Sequence, residues 1–206
     1  MVSGLEVRKP LRSASGFFVD QRGTVVTAAA NVAGCARVTL DGRHDAQVVA
    51  REDAVAVLRP TGALAPARVA ALAPQEGRLR SAVAVGGYPY GGVLGAATLS
   101  FGTLEDVRGL GGEADLLRLS LKREPGDAGG PVLDRAGNVA GLLLPGAGDD
   151  RALPGDVAFA VKSRTILPML ADAGVAVQAA AGSAPLAPEA LSRRATAITV
   201  LVGCWE

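Results

Sequence analysis

Glu124-Pro125-Gly126-Asp127-Ala128-Gly129-Gly130-Pro131-Val132 is the stretch around which the rest of the 206-residue chain makes sense. Glycines stand on both sides of Ala128, opening backbone conformations closed to other residues. Such a loop can turn two amide N–H groups toward one point, an arrangement that stabilises a developing oxyanion. Pro131 then opens a run to Leu142, with Asp134-Arg135-Ala136-Gly137-Asn138 inside it, that reads as strand, turn, strand. The loop is shaped to present a reactive side chain, and the side chain is a methyl group.

Working outward, the chain is long enough to bury a substantial core as one domain or two small ones. Lys and Arg total 21 against 20 Asp and Glu, a net charge of +1 that gives no electrostatic case for nucleic acid or a membrane surface. No apolar run approaches the roughly 18–20 residues of a membrane span. Met1 precedes Val-Ser-Gly without a basic and then apolar signal segment, so the chain reads as the mature part or a fragment of something longer. Cys35 and Cys204 permit one disulfide or two free buried thiols. No His/Cys/Asp/Glu cluster has metal-ligand spacing, and the glycines of 86–95 lack the lysine and helix start of a phosphate loop. No cofactor is expected.

Along the chain, 1–12 reads as an extended arm. Short β segments follow at 13–20, 24–28, 37–40, 47–50 and 54–59, and a Pro- and Ala-rich connector occupies 60–80. A second β set covers 81–87, 96–104, 115–121, 132–133, 139–144 and 157–161. Many short strands divided by glycine turns argue for barrels or a sandwich. Helix signals come late: Ser163 as a cap for 164–173, and Pro188-Glu189 in the first turn of 187–195. The segment Ile198–Trp205 is strand-like.

Three motifs together resemble the trypsin-like serine proteases, most closely the bacterial HtrA-like branch. Pro125–Val132 is similar to the Gly-Asp-Ser-Gly-Gly-Pro nucleophile loop. Thr27–Cys35 resembles the Thr-x-x-His-Val-Val-x-Gly segment and follows the family's Ser-Gly-Phe-x-Val-Asp hairpin, here Ser15–Asp20. Ala54–Arg59 resembles Asp-Leu-Ala-Leu-Leu-Arg; Gly87–Gly91 and Val157–Val161 match further family segments. The resemblance covers about 13–172. It implies an all-β, chymotrypsin-like double antiparallel β-barrel, with barrels at about 13–72 and 79–162, a C-terminal helix and an added C-terminal strand. Residues 173–206 are expected as a C-terminal extension.

The departures decide the chemistry. The histidine, aspartate and serine positions fall on Ala30, Ala54 and Ala128. Asp53 sits one residue early, and a one-residue slip turns a strand side chain to the opposite face. His44, the chain's one histidine, reads as an exposed hairpin end far from the loop. Ser100, Ser120 and Ser163 have no base to activate them, and losing serine or histidine alone costs about 10⁶ in kcat. The resemblance therefore implies a pseudoenzyme with an oxyanion-hole-like backbone at Gly126 and Ala128. The alternative is an active endopeptidase whose triad was deliberately replaced by alanine.

A cleft without a triad can still add a peptide as a strand. The resemblance places the edge at Ala158, Phe159 and Ala160. Lys122 falls at the base of the primary specificity pocket, where it would fill that pocket or favour an acidic side chain. A module that binds a protein or peptide partner and a scaffold role are both open at this point, with no nucleic acid and no membrane span. The resemblance also implies that the last helix packs across the first barrel, bringing Cys204 to Cys35. Such a bridge fits an exported, oxidising compartment, the periplasm in a Gram-negative source.

Overall fold

The computed structural model describes residues 9–75, 77–146, 153–180 and 182–206; the expected arm lies mostly outside them. The first half forms β1 (Arg12–Phe18), β2 (Val25–Ala28), β3 (Arg37–Leu40), β4 (His44–Glu52) and β5 (Val55–Pro60). β1 pairs with β2, β2 with β5, β5 with β4 and β4 with β3. These five strands leave β1 and β3 each with an open edge. The last strand, β14 (Thr199–Trp205), lies antiparallel between them and closes a six-stranded barrel. Its register sets Ala14 opposite Val202 on one side and Leu40 opposite the same valine on the other.

Apolar runs in β1, β2 and β5 are continuous because both of their faces are buried. Phe18, Val25, Ala56 and Leu58 fill the barrel interior together with Val200 and Val202 of β14. Their neighbours Phe17, Val26, Val55 and Val57 face outward into a second core. Successive side chains of a strand point to opposite faces, so one sequence supplies both cores.

The second barrel is built from β7 (Ala82–Gly87), β8 (Thr98–Asp106), β9 (Leu116–Ser120), β10 (Pro131–Leu133), β11 (Val139–Leu143) and β12 (Val157–Lys162). The ring runs β7-β8-β9-β12-β11-β10 and closes through β10–β7, antiparallel at every step. Two short strands, β6 (Ala71–Leu72) and β13 (Gln178–Ala179), extend it in parallel beyond β11. Helices α1 (Ser163–Asp172) and α2 (Pro188–Ile198) cover the groove between the barrels, burying Ile166, Met169, Leu170, Leu191 and Ala195 in the shared core. Ser163 does not cap α1 as expected: its hydroxyl donates to the Val139 carbonyl at 2.5 Å, tying the helix start to β11.

Residues 173–206 thus do more than follow the double barrel, since the strand Thr199–Trp205 within them is one of its staves. Local turn chemistry could not indicate this, because β14 meets partners more than 150 residues away. Cys204, fully buried, is bonded to half-buried Cys35 with 5.3 Å between Cα atoms and 169 residues of separation. Arg12 Nη2 lies 3.4 Å from Cys204 Sγ and 3.7 Å from Cys35 Sγ. Trp205 Nε1 donates to Thr39 Oγ1 at 2.9 Å, and the Arg37 guanidinium covers its ring at 5.8 Å.

Two outcomes follow from this closure. Deleting residues 199–206 should abolish the cooperative urea transition; a deletion that still unfolds cooperatively at the parent midpoint would contradict the role given to β14. Replacing both cysteines by alanine should cost ~2–5 kcal/mol of stability, the range for a native bridge closing a long loop. An unchanged melting temperature of that variant would show that the bridge contributes nothing.

Candidate functional site

The loop before β10 is held by left-handed glycines, backbone hydrogen bonds and a few polar side chains. Gly126 (φ +101°) and Gly129 (φ +87°) hold conformations that L side chains rarely adopt. A methyl on Gly126 would lie 2.3 Å from the Tyr88 carbonyl, and one on Gly129 2.2 Å from the Ser15 carbonyl. Asp127 N–H donates to the Glu124 carbonyl, and Gly130 N–H to the Asp127 carbonyl. Gly129 N–H and Leu143 N–H tie the loop to β11 through the carbonyls of Leu143 and Gly130, at 2.7 and 2.9 Å. The amides of Gly126 and Ala128 donate to no acceptor among the described residues. Beneath them Asp127 is buried, its Oδ2 accepting from Glu124 N–H at 2.9 Å. Burial pushes its carboxyl above the usual range, and the nearby Arg123 charge offsets only part of that.

The three alanines meet across both barrels. Ala29 N–H donates to the Ala54 carbonyl at 2.8 Å, and the Asn31 side-chain amide donates to the Ala128 carbonyl at 2.9 Å. Ala30 stands between these two donors, so one short 3₁₀ turn (Ala29–Val32) brings its position to those of Ala54 and Ala128. Asn31 also donates to Thr27 Oγ1 at 2.9 Å, and Thr27 Oγ1 donates to the Ser15 carbonyl at 2.7 Å. Ser15 Oγ completes the link by donating to the Gly126 carbonyl while accepting from Tyr88 N–H. The sequence reading gave no role to the side chains of Asn31, Thr27 or Ser15; polar residues inside apolar segments, two on strands and one on the 3₁₀ turn, were the available signal. Asp53 is exposed on the β4–β5 turn with φ +43° and makes no side-chain hydrogen bond, so Ala54 holds the inward position.

Two expectations fail on geometry. Ala158, Phe159 and Ala160 lie on an interior stave: β12 pairs with β9 on one side and β11 on the other. The Phe159 carbonyl already accepts from Leu144 N–H at 2.8 Å, which leaves no open edge there for a peptide. Lys122 does not fill a pocket either. Its side chain is 81% exposed and pairs with Glu124 Oε1 at 3.0 Å, while the Tyr90 hydroxyl donates to Glu124 Oε2. These two partners hold the Glu124 carboxyl below its usual range. Arg123, the next residue, is half-buried. Its Nε is buried without a partner, and Gly146, beyond β11, leaves room for its guanidinium: an added Cβ there would lie 2.9 Å from Nη1. No group of three His, Cys, Asp or Glu among the described residues could hold a metal ion.

Gly129→Ala should destabilise the chain by more than ~2 kcal/mol, because it adds a backbone clash to an unfavourable φ. Ala128→Ser should stay within about 0.5 kcal/mol of the parent, since the half-buried methyl has room beside it. Urea denaturation measures both, and equal effects would show that the loop is not backbone-determined. Asp127 supplies a pH test. An acid whose folded pKa is raised carries its full stabilising contribution below its unfolded value and loses it as pH climbs through the folded value. The parent should therefore lose stability relative to Asp127→Asn as pH rises from about 3.5 to 7, and a pH-independent difference would contradict the burial argument.

Comparison with known proteins agrees with this geometry. The family model described as trypsin-like peptidase domain matches residues 14–142. The uncharacterised protein y4bJ of Sinorhizobium fredii is 31% identical over 92% of this chain, which spans only 32% of that protein. Among solved structures, the inactive form of the Rv3671c protease of M. tuberculosis is 26% identical with a TM-score of 0.64, covering 81% of this chain and 87% of that one. The HtrA-type protease AlgW with a decapeptide shares the fold at 23% identity and a TM-score of 0.65, over 78% of this chain and 51% of the other. A double barrel whose loops meet at these three positions, matched by that family model over more than half its length, belongs to the trypsin-like peptidase domain family.

Proposed function

We propose that this chain is a proteolytically inactive member of the family that binds an extended protein or peptide segment outside the cytosol. The observation that carries this reading is the meeting of Ala30, Ala54 and Ala128 around a loop that keeps its shape. A hydroxyl nucleophile needs a base to take its proton, and none of these three side chains can supply either. What persists is backbone: the unpartnered N–H groups of Gly126 and Ala128, in a loop tied to the end of β11 by Gly129 N–H and the Leu143 carbonyl. Those groups suit a carbonyl of an extended chain, which is bound by main-chain hydrogen bonds rather than by a triad. With β12 paired on both sides, the free amides of the loop at Gly126–Ala128 replace Ala158–Ala160 as the proposed place of contact. The Cys35–Cys204 bridge supports an exported location, the periplasm in a Gram-negative cell.

A serine-directed fluorophosphonate tests the chemistry. Neither the parent nor Ala128→Ser should be labelled, while Ala128→Ser combined with Ala30→His and Ala54→Asp should gain labelling, because the loop already has its geometry. Labelling of the parent would sink the inactive reading. Binding is tested by screening the intact domain against an immobilised library of unstructured peptides, with Gly126→Val as the blocked control. Peptides retained equally by both proteins would argue against the cleft as the binding surface.

A further inference from the structure

A second site lies where the two barrels meet on another face. A cavity of about 420 Å³ opens between the β3–β4 turn, the loop 88–95 and Leu201 of β14. That volume lies within the range of small-molecule pockets. Two segments distant in the chain bring polar groups to it: Asp41, Arg43 and His44 at the β3–β4 turn, and Tyr88 from the loop. These groups are not used up by the fold. The Arg43 guanidinium, the His44 imidazole and the Tyr88 hydroxyl make no hydrogen bond or ion pair with any described residue. Asp41 accepts from Leu201 N–H through Oδ1 at 3.1 Å, and its second oxygen accepts from no described residue. Gly92 and Gly95 line the same cavity, and between them Val93 and Leu94 are 83% and 58% exposed, an apolar flank beside a polar interior.

The balance of groups specifies a ligand. Three donors face one carboxylate, which calls for an anion. That anion must also bring a donor of its own, or Asp41 would oppose it. A phosphate dianion would add repulsion at Asp41, and a simple cation would meet Arg43. We propose that this cavity binds a small organic carboxylate carrying an N–H or O–H donor on the adjacent carbon. Arg43, His44 and the Tyr88 hydroxyl take the carboxylate, Asp41 takes the donor, and an apolar substituent lies toward Val93 and Leu94. A free hydroxy acid and the C-terminal residue of a peptide share this chemistry. Tyr88 also connects the cavity to the candidate site, since its carbonyl packs on Gly126 and its N–H donates to Ser15 Oγ. The proposal does not depend on the cleft binding peptide.

His44 is the chain's one histidine, so its imidazole signals in a ¹H–¹³C NMR spectrum need no assignment. Lactate, N-acetylglycine and N-acetyl-alanyl-alanine are titrated against the disulfide-intact chain, with acetamide and inorganic phosphate as controls. At least one of the three carboxylates should move the His44 signals saturably, and acetamide should not. Arg43→Gln and Tyr88→Phe should each weaken that binding about tenfold, the loss typical of a hydrogen bond to a charged group. Tighter binding of the acetylated dipeptide assigns the cavity to a peptide C-terminus, and tighter binding of lactate to a free hydroxy acid; either supports the proposal. No saturable shift with any of the three, equal binding of phosphate, or unchanged binding by both variants overturns it.

Discussion

Closure of the first barrel is the constraint on which the rest depends. Without β14, the edges of β1 and β3 would carry unpaired N–H and C=O groups beside a core open to water, a costly arrangement in any sheet. With β14 in place, Val200 and Val202 complete the interior, and the same strand supports the floor of the second cavity through Leu201. The serine-position loop leans on this body too, since Ser15 N–H of β1 donates to the Ala128 carbonyl at 3.0 Å. A strand from the far end of the chain thus holds in place the strand that buttresses the loop. The disulfide acts at the same seam, bonding the end of β14 to the segment that follows the short turn carrying Ala30.

The loop around Ala128 shows how a backbone conformation can be independent of the side chain it presents. Its conformation is set by two left-handed glycines, two hydrogen bonds to β11 and a buried polar chain through Ser15, Thr27 and Asn31. None of these involves a side chain at position 128. Replacing a reactive residue there by alanine removes a nucleophile without disturbing any of them. The cost of keeping the loop is also visible. Asp127 remains buried with its carboxyl pushed toward the protonated form, held by one backbone amide and partly offset by Arg123.

Legibility followed the range of the interactions. Strand positions, the glycine-flanked loop and the start of α2 at Pro188 are local signals, and the chain adopts them with boundaries shifted by a few residues. The meeting of Ala30, Ala54 and Ala128 was legible only through the order of three motifs that resemble a family, because no spacing rule places residues from two barrels at one point. Pairing partners were the illegible part. Val157–Val161 looks the same in sequence whether it is an edge or an interior stave, and only the positions of β9 and β11 distinguish the two. Lys122 and Arg123 are adjacent cations that the sequence does not tell apart, yet Lys122 is exposed and paired with Glu124 while Arg123 has its Nε buried.

His44 carries the same lesson further. At the end of a hairpin, a lone histidine has no sequence partner to suggest a role, and exposure is the natural reading. The fold changes its surroundings by bringing Tyr88 and Leu201 over the turn that holds it. Asp41 then illustrates the electrostatic consequence. The residue as a whole is exposed, yet its carboxyl is partly desolvated against these neighbours, which raises its pKa despite the Leu201 amide and the charges of His44 and Arg43. Folding normally satisfies or solvates a polar group. Here a carboxyl oxygen, an imidazole, a guanidinium and a phenol share one recess without satisfying one another. Solvent can occupy such a recess, but so can any small molecule that matches its donors and acceptor better than water does.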